Sequence, residues 1–467
     1  MICGAMYCHA AVGDTFNKTY GSYSVTYKII SENPNEVSVK KVSVTSSPEV
    51  TIPASITNES LTYNVTAIAD LACSNEVNIP KITFPDAITS IGKEAFNCCY
   101  ALTEFTIPAS VKTISNGAFQ NCRSITSFTI PAAVTQIGRY NVFLLNTSLT
   151  AINVDAANTT YSSHNGVLFS KDKKTLLRFP DGKSQTYAVP NFVDTIGTDA
   201  FRYNTKIKSV IISDSVTHIA PAAFFQSDVE SITMGKGITY IGDNGFRMCN
   251  NLGEFVCHVE EPSSITTGNY IFLDVKTDSC ILRVPEGCVE KYKNIYPWKK
   301  FTNIVEIEPV VGNRFEKDGI MYEITSLTPN EVKVIYKDPL YTGVITIPAS
   351  VDKGRTYNVT AIGDAAFANC SEVTAINIPN SVNSIRMGAF KGCTKLTSIV
   401  IPNQVTVINT LTFANCGLTS FTIPQNITKI GSGAFSDCTA LSKIISNIEN
   451  PDNVTLGTTV FKNIAVR

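Results

Sequence analysis

The sequence is poor in charge, histidine and tryptophan, and these shortages remove several classes of function. Lys, Arg, Asp and Glu together make up 16% of the 467 residues, below the quarter or so that is usual in soluble domains. The formal net charge is −1 and no basic block is present, so nucleic acid is not an expected partner. No run of 18 apolar residues occurs, so no segment is expected to span a bilayer.

Residues suited to catalysis are also scarce and scattered. The four histidines, His9, His164, His218 and His258, occupy unrelated positions, with no Gly-x-Ser-x-Gly elbow, His-Glu-x-x-His pair or phosphate loop beside them. Hydrolysis needs a nucleophile, a base and an orienting group in one place. We therefore expect no enzyme activity, no catalytic residue, no metal and no cofactor. We interpret His218 as an exposed histidine, the Glu260–Glu261 pair as a solvated loop, and 172–174 as a hairpin tip.

What the sequence has instead is a repeat. A pattern of Ile-Pro, Val-x-x-Ile and Ala-Phe-x-x-Cys recurs every 22 to 24 residues, most clearly in IPASVKTISNGAFQNC from Ile107. The repeat phenylalanines are Phe96, Phe119, Phe143, Phe201, Phe224, Phe246, Phe367, Phe390, Phe413 and Phe435. Self-similarity at such a period predicts a solenoid, in which each coil buries its apolar side against its neighbours.

The coil that begins at Leu396 shows which strands to expect. Leu396, Ile399 and Ile401 give the L-x-x-L-x-L pattern of a leucine-rich repeat, and Pro402 ends that strand. A second short apolar pair, Val405 and Ile408, follows before the chain turns at the repeat phenylalanine. The pattern predicts a β-rich leucine-rich-repeat solenoid of about 23-residue coils with two short strands per coil.

Half of the 14 cysteines occupy one repeat position, three residues after the phenylalanine. They are Cys99, Cys122, Cys249, Cys370, Cys393, Cys416 and Cys438. A position that recurs once per coil points the same way in each coil, and we expect it to point inward as a stack of reduced thiols. Disulfides between neighbouring coils are the alternative, because stacked coils lie within disulfide reach. Cys280 and Cys288 are a second, weaker disulfide candidate.

One segment interrupts the repeats and divides the chain. VPEGCVEKYK and the single tryptophan, Trp298, predict a strand, a turn and a short helix that cover the last coil, with Trp298 in the cap core. Beyond it, TYNVTAIGD at Thr356 repeats TYNVTAIAD at Thr62. We therefore expect two arrays, at 15–308 and 309–467, each opening with a hairpin N-cap, and only the first closed by an α/β C-terminal cap.

The two ends of the sequence carry weaker signals. Residues 1–14 are short, apolar and rich in small residues, and we interpret them as a signal-peptide remnant with Cys8-His9-Ala10 as the cleavage site, or else as an ordinary terminus. The second array stops without a cap sequence, so we expect the natural protein to continue or the sequence to be a fragment.

The outward positions of the first strand in each coil form the candidate binding face. Alternation predicts a flat, mostly neutral, hydroxyl-rich surface on these strands. The candidate residues are Glu104, Thr106, Ser127, Thr129, Ser209, Ile211, Ser231, Thr233, Ser398, Val400, Ser420 and Thr422. The simpler interpretation is that Ser and Thr suit solvated strands; docking of a partner is compatible with it.

Several segments together resemble the BspA-like leucine-rich repeat family. They are LTSIVIPNQVTVI, IPNSVNSIRMGAFKGCTKL, VPEGCVEKYKNIYPWKKF and the non-periodic HNGVLFSKDKKTLLRFPDGK at His164. The resemblance covers about residues 15–467. It implies a secreted or cell-surface location, binding of extracellular or host proteins in some members, and no general catalytic or metal residues. This sequence departs from the family at Cys73, where the repeat phenylalanine is expected, and in lacking a complete signal peptide and an anchor.

Two functions follow as expectations. The first is a non-enzymatic, adhesin-like module that binds protein at the cell surface or after secretion. The alternative is a structural spacer or glycan-binding module that presents another domain. Exposed aromatic residues on the strand face would favour glycans, and the candidate face contains almost none.

Overall fold

The computed structural model describes residues 11–46, 49–183 and 186–465. The chain forms two compact units, which divide between Ile307 and Glu308. The predicted signal-peptide remnant falls largely on residues 1–10, outside the described residues. Regular structure is almost entirely β, and among the described residues α-helix is confined to α1 (Val289–Lys293).

The first unit opens with an antiparallel meander and then winds into coils. Strands β1 (Thr15–Tyr20), β2 (Tyr23–Glu32) and β3 (Asn35–Val44) pair in order. They are followed by β4 (Glu49–Thr51), β5 (Ser55–Asn58) and β6 (Leu61–Ile68), and β6 pairs in parallel with β3. From here the chain alternates between two rows of parallel strands, a front row that begins with β4 and a rear row that begins with β6.

The next coils add short strands to each row in turn. They are β7 (Lys81–Thr83), β8 (Ser90–Ile91), β9 (Thr113–Ile114), β10 (Ser127–Ile130), β11 (Gln136–Ile137) and β12 (Ala151–Val154). The rear row is continuous from β6 through β8 and β9 to β11. The front row consists of the separate parallel pairs β4–β7 and β10–β12. The predicted two strands per coil are confirmed here, except in the coil at 104–107, where the first strand is reduced to an isolated bridge.

An antiparallel insert interrupts the stack in the middle of the first unit. Strands β13 (Tyr161–His164), β14 (Val167–Ser170) and β15 (Thr175–Arg178) form this meander. Its β14–β15 turn contains 172–174, so the predicted hairpin tip is confirmed. Asp172 accepts hydrogen bonds from Ser170 Oγ (2.6 Å) and Lys174 N (3.0 Å), and these bonds lower the pKa of its carboxyl.

Beyond the insert the parallel rows resume to the end of the unit. The strands are β16 (Thr186–Ala188), β17 (Thr195–Ile196), β18 (Ser209–Ile212), β19 (His218–Ile219), β20 (Ser231–Met234), β21 (Tyr240–Ile241), β22 (Glu254–Cys257), β23 (Thr266–Thr267), β24 (Ile281–Val284) and β25 (Asn303–Glu306), with α1 before β25 and 3-10 turns at Pro262–Ser264 and Trp298–Lys300. The front row is a six-stranded sheet from β16 to β25.

The second unit repeats this plan. Its elements are β26 (Arg314–Lys317), β27 (Ile320–Leu327), β28 (Asn330–Val334), β29 (Gly343–Thr346), β30 (Ser350–Asp352), β31 (Thr356–Ile362), β32 (Val373–Asn377), β33 (Ser384–Ile385), β34 (Val407–Ile408), β35 (Ser420–Ile423), β36 (Lys429–Ile430), β37 (Lys443–Ser446) and β38 (Thr455–Leu456), with a 3-10 turn at Pro451–Asn453. The parallel pair β28–β31 shifts register after Val332, as β3–β6 does after Val37. Even this irregularity is duplicated.

The repeat phenylalanines form stacks inside each unit. Rings of successive coils lie 4.7 to 6.1 Å apart and within 22° of parallel. Phe96, Phe119 and Phe390 are fully buried. Offset-stacked pairs contribute about 0.5–1.5 kcal/mol each beyond the burial of their area, so each coil is stabilised by its neighbours.

The repeat cysteines point inward, as predicted, and each thiol also has a hydrogen-bonding role. Cys122 Sγ donates to the carbonyl of Phe96 at 3.1 Å, and Cys416 Sγ donates to the carbonyl of Phe390 at 2.9 Å. The same bond to the preceding coil occurs at Cys99, Cys249, Cys393 and Cys438. The N–H of Cys99 already occupies the Phe96 carbonyl at 3.2 Å, so the Cys122 thiol satisfies its second lone pair.

Each coil turns through two residues with positive φ, two positions before and two positions after the phenylalanine. Around Phe119 they are Gly117 (φ 65°) and Asn121 (φ 61°). Gly, Asn and Asp enter this left-handed region more easily than other residues. This is why Asn121, Asn369, Gly392, Asn415 and Asp437 precede the repeat cysteines; Gly392, for example, has a φ of 78°.

Two predicted details differ from the structure or stay predictions. Residues 398–401 alternate outward and inward as predicted, but this segment forms no ladder with its neighbours and is not a strand. Trp298 is fully buried, with its ring 5.5 Å from Tyr292 and 5.4 Å from Phe272. It therefore lies in an apolar core, while the capping function of α1 and of the meanders stays a prediction.

Candidate binding face

Alternation on the front row places every candidate residue outward. Along β18, Val210 and Ile212 are buried while Ile211 is 44% exposed. Nine of the twelve candidates are exposed and the other three, Ser209, Ser231 and Thr233, are half-buried. None of the twelve lies in the core, so the predicted orientation is confirmed, and their binding function stays a prediction.

The candidates in the first unit do not share one sheet. Glu104 makes only an isolated bridge to Lys81, and Ser127 and Thr129 lie on β10, which pairs only with β12. Ser209 and Ser231 belong to the six-stranded sheet beyond the insert. The front row of the first unit is therefore not one continuous ladder, because the insert and the irregular 104–107 segment divide it.

The six-stranded sheet carries the most regular part of this face. Parallel pairing aligns Ser209, Ser231 and Glu254 in one outward line, and Ser231 Oγ lies 2.9 Å from Ser209 Oγ. A second line contains Ile211, Thr233, Val256 and Arg283. The face therefore combines a hydroxyl ladder with isolated aliphatic side chains.

Sequence reasoning missed the continuation of this face towards β25. Arg283 Nε donates to Glu254 Oε1 at 2.6 Å, with 33% and 40% of the two side chains exposed. Val256 and Arg283 occupy outward positions of EFVC and ILRV, where period-two alternation was visible. The signal was overlooked because ILRV was assigned to the cap.

In the second unit the same face is marked by exposed aliphatic residues. Val400 is 83% exposed and Val344 is 64% exposed. Between them lies a polar contact in which Asn377 Nδ2 donates to Thr346 Oγ1 at 3.0 Å. Single exposed apolar residues of this kind are ordinary on protein surfaces.

The titratable side chains singled out from the sequence make local contacts at the surface. His218 is exposed, as predicted, and its Nδ1 lies 2.8 Å from Thr217 Oγ1. Glu261 is exposed and forms an ion pair with Lys291. Among the described residues, no group of three or more His, Cys, Asp or Glu side chains is placed to hold a metal ion.

The repeat thiols are poorly suited to act as nucleophiles. Burial raises the pKa of Cys122 and of Cys249 to about 12, so both stay protonated near neutral pH. Cys280 and Cys288 are not joined by a disulfide; the thiol of Cys288 instead donates to the carbonyl of Glu260 at 3.5 Å. Within the described parts of the chain, the cysteines carry no disulfide.

None of the helices in the described residues has the length and apolar character needed to cross a membrane.

The sequence was compared with known proteins. No protein with a curated description matches it. A search of solved structures gave matches to leucine-rich repeat proteins.

Three of these structures illustrate the likeness. The pneumococcal vaccine antigen PcpA is 18% identical with a TM-score of 0.39, covering 64% of this chain and 100% of that one. A leucine-rich repeat protein from Eubacterium ventriosum is 18% identical with a TM-score of 0.39, covering 94% and 96%. A leucine-rich cell surface protein from Faecalibacterium prausnitzii is 22% identical with a TM-score of 0.28, covering 95% and 97%.

The family comparison is decisive. The model of the BspA type leucine-rich repeat region matches in 6 copies, over residues 49–171, 179–288 and 360–467. These ranges contain most of the coils described above and more than half of the sequence. The chain belongs to the BspA-type leucine-rich repeat family.

Proposed function

We propose that this chain is a non-enzymatic, adhesin-like module that binds an extracellular protein through the outward face of its front row. The observation that carries the proposal is the outward line on β18, β20, β22 and β24. There, hydroxyls, an ion pair and aliphatic side chains are held in register on a rigid sheet. Solenoids present extended surfaces of this kind to partners.

The charge of the face favours a protein partner over a nucleic acid. Exposed lysines of this region are paired with carboxylates, as in Lys208 with Glu230 at 2.8 Å and Lys81 with Glu104 at 3.3 Å. A surface without excess positive charge gives no counterion-release contribution to binding of a polyanion. Local contacts made by Ile211, Val256 or Val400 would then supply the affinity.

A location outside the cell is part of the same proposal. The family resemblance implies secretion or display at the cell surface, where such a face meets host or microbial proteins. The alternative proposal is a structural spacer or a glycan-binding module. Glycan sites are commonly built on exposed aromatic rings that stack on sugars, and the twelve candidate residues include no aromatic side chain.

The experiment is a binding screen of the full chain against a panel of immobilised extracellular-matrix proteins and a panel of glycans. Ile211→Asp places a charge at the exposed aliphatic residue of β18, on the line that carries the proposal, and we expect at least a tenfold loss of affinity for the protein partner. His218→Asp is the matched control, because His218 is exposed and lies on the rear strand β19 of the same unit.

Each result distinguishes the candidates. Saturable binding to a matrix protein that is lost in Ile211→Asp and kept in His218→Asp supports the adhesin-like function. Binding confined to glycans supports the alternative, and binding to neither panel supports a spacer. Equal loss in both variants would remove the front-row face as the site.

A further inference from the structure

The insert leaves a cavity inside the first unit, where the rear row is broken. The rear row of the first coils ends at β11, and the next rear sheet begins with the insert. Between them lies a cavity of about 450 Å³, lined by β11, by the turn at 138–144, by β15 and by β17. Sites for small molecules are commonly of this size.

The wall of the cavity is mostly apolar. Its side chains include Ile137, Val142, Phe143, Leu168 and Leu177. Leu168 and Phe143 are buried, and Leu177 is half-buried. This wall offers a hydrocarbon chain aliphatic and aromatic contacts, and burial of the chain against it is favourable because apolar surface is removed from water.

The break also leaves backbone donors without their usual partners. In the preceding coil, Gly117 N–H donates to Tyr140 O at 3.0 Å and Phe119 N–H donates to Val142 O at 3.0 Å. The equivalent N–H groups of Asn141 and Phe143 face the insert instead of a following coil. Within the described residues, neither of these two groups has a hydrogen-bond partner.

A buried arginine adds a further donor to the cavity wall. Arg178 is 8% exposed and lines the cavity. Its Nη2 bonds Asp181 Oδ1 at 2.5 Å and its Nη1 bonds the carbonyl of Asp199 at 2.7 Å. In the described part of the chain its Nε–H has no partner and is buried. A buried donor without a partner is destabilising, and a bound acceptor would relieve this cost.

The charges around the cavity favour an anion. The charge of Arg178 is balanced by Asp181, and that of Asp199 by Arg202 at 3.1 Å. Arg139 also lines the cavity and is exposed; no carboxylate partner of Arg139 is found among the described residues. The buried Asn141 Oδ1, also unsatisfied, is an acceptor that a bridging water would serve.

We propose that this cavity binds a small amphipathic carboxylate. Its chain packs against the apolar wall, and its carboxylate accepts from the donors of Arg178 and of the 141–143 turn, with Arg139 near the entrance. This site lies on the broken rear row and is independent of the front-row face, so either proposal can fail without the other.

The test is calorimetric titration of the full chain with sodium octanoate and with octan-1-ol, which has the same chain length and no charge. We expect one saturable octanoate site per chain and at least tenfold weaker binding of octan-1-ol. Arg139→Gln should weaken octanoate binding about tenfold, because a charged hydrogen bond is lost. Arg123→Gln, another exposed arginine outside the cavity wall, is the matched control.

A second pair of variants tests the location. Leu177→Trp fills the cavity and should abolish octanoate binding, whereas the volume-conserving Leu177→Met should keep it. Circular dichroism confirms that each variant is folded, and Arg139→Gln, at an exposed position, remains informative if Leu177→Trp is not. No saturable octanoate binding, equal affinity for octan-1-ol, or undiminished binding in a folded Leu177→Trp would each overturn the proposal.

Discussion

The uninterrupted coils of the second unit and the interrupted coils of the first use different residues to satisfy buried backbone groups at the same repeat position. In the second unit, Cys393, Cys416 and Cys438 each use one thiol bond to the coil before. Beside the insert, the same repeat position holds Asn146 and Asn204. Asn146 Oδ1 accepts from Cys122 N at 2.7 Å, but its buried Nδ2 has no partner among the described residues.

Asn204 shows what the interruption demands. Its Oδ1 accepts from Lys206 N at 2.9 Å and from Ile207 N at 2.8 Å, while its Nδ2 donates to Pro180 O at 3.3 Å. A thiol, which is a weak donor and weak acceptor, cannot replace three such bonds. A regular stack therefore needs little polar capacity in its core, and a break in the stack needs much more.

Buried charge follows the same division. Among the described residues, the buried charged side chains are Arg178, Asp181 and Asp199, and all three lie beside the insert. Burial raises the pKa of Asp181, and the adjacent Arg178 opposes that rise. Asp181 Oδ2 also accepts from Asn146 N at 3.1 Å, so this carboxylate joins the insert to the coil before it.

The largest expected effect comes from removing that carboxylate. Asp181→Ala leaves the Arg178 charge buried and unpaired, which should lower the free energy of unfolding of the first unit by about 3–5 kcal/mol. Urea unfolding followed by fluorescence reports on this unit, because Trp298 is the only tryptophan. Glu104→Ala is the control in the same unit; its pair with Lys81 is 71% and 43% exposed and should contribute less than about 1 kcal/mol. Equal effects would mean that Arg178 finds another partner.

A smaller effect is expected when two phenylalanines of the stack are compared by the stability that each loses on substitution by alanine. Phe390 lies between Phe367 and Phe413 in an unbroken stack, whereas Phe143 borders the cavity. Phe390→Ala should therefore cost about 1–2 kcal/mol more than Phe143→Ala, since a site with fewer packed neighbours loses less. Hydrogen exchange of each unit measures both costs. Similar costs for the two substitutions would show that Phe143 is packed as closely beside the cavity as Phe390 is in the unbroken stack.

The smallest effect concerns the thiol bond. Cys416→Ala should lower the free energy of unfolding of the second unit by about 1 kcal/mol, the net contribution of one hydrogen bond. Cys416→Ser should recover part of this loss, because Ser227 holds the equivalent position in the first unit. Urea unfolding followed by circular dichroism compares the two. If the serine variant is no more stable than the alanine variant, the thiol of Cys416 contributes by packing and its hydrogen bond does not add to stability.

The periodic part of this fold was accessible from sequence. The spacing of Phe96 and Phe119 predicted the coils, and the alternation around Val210 predicted which side chains face solvent. Both predictions succeed because apolar side chains are buried at the same period with which the backbone repeats. The cysteine position was also predicted as buried, but its bond to a carbonyl was not, since nothing in the sequence shows that this carbonyl has a lone pair to fill.

The features that depend on the insert, which interrupts the stack, could not be predicted from the sequence. Arg178 and Asp181, three residues apart in LLRFPDGK, have the spacing of an ordinary exposed ion pair. Only the position of the insert against two coils buries them. The segment at 398–401 shows the opposite case, because its alternation predicts a strand and yet it forms no ladder with its neighbours.

The left-handed residues that flank each phenylalanine also constrain how the gene can change. Both stand at fixed distances from the ring, so loss or gain of one codon within a coil shifts a residue such as Gly117 or Asn121 out of the only place where its backbone angle is tolerated. Removal or copying of a whole coil leaves these distances intact. Such a chain can lengthen or shorten in steps of one winding, and the reach of its surface is then set by copy number.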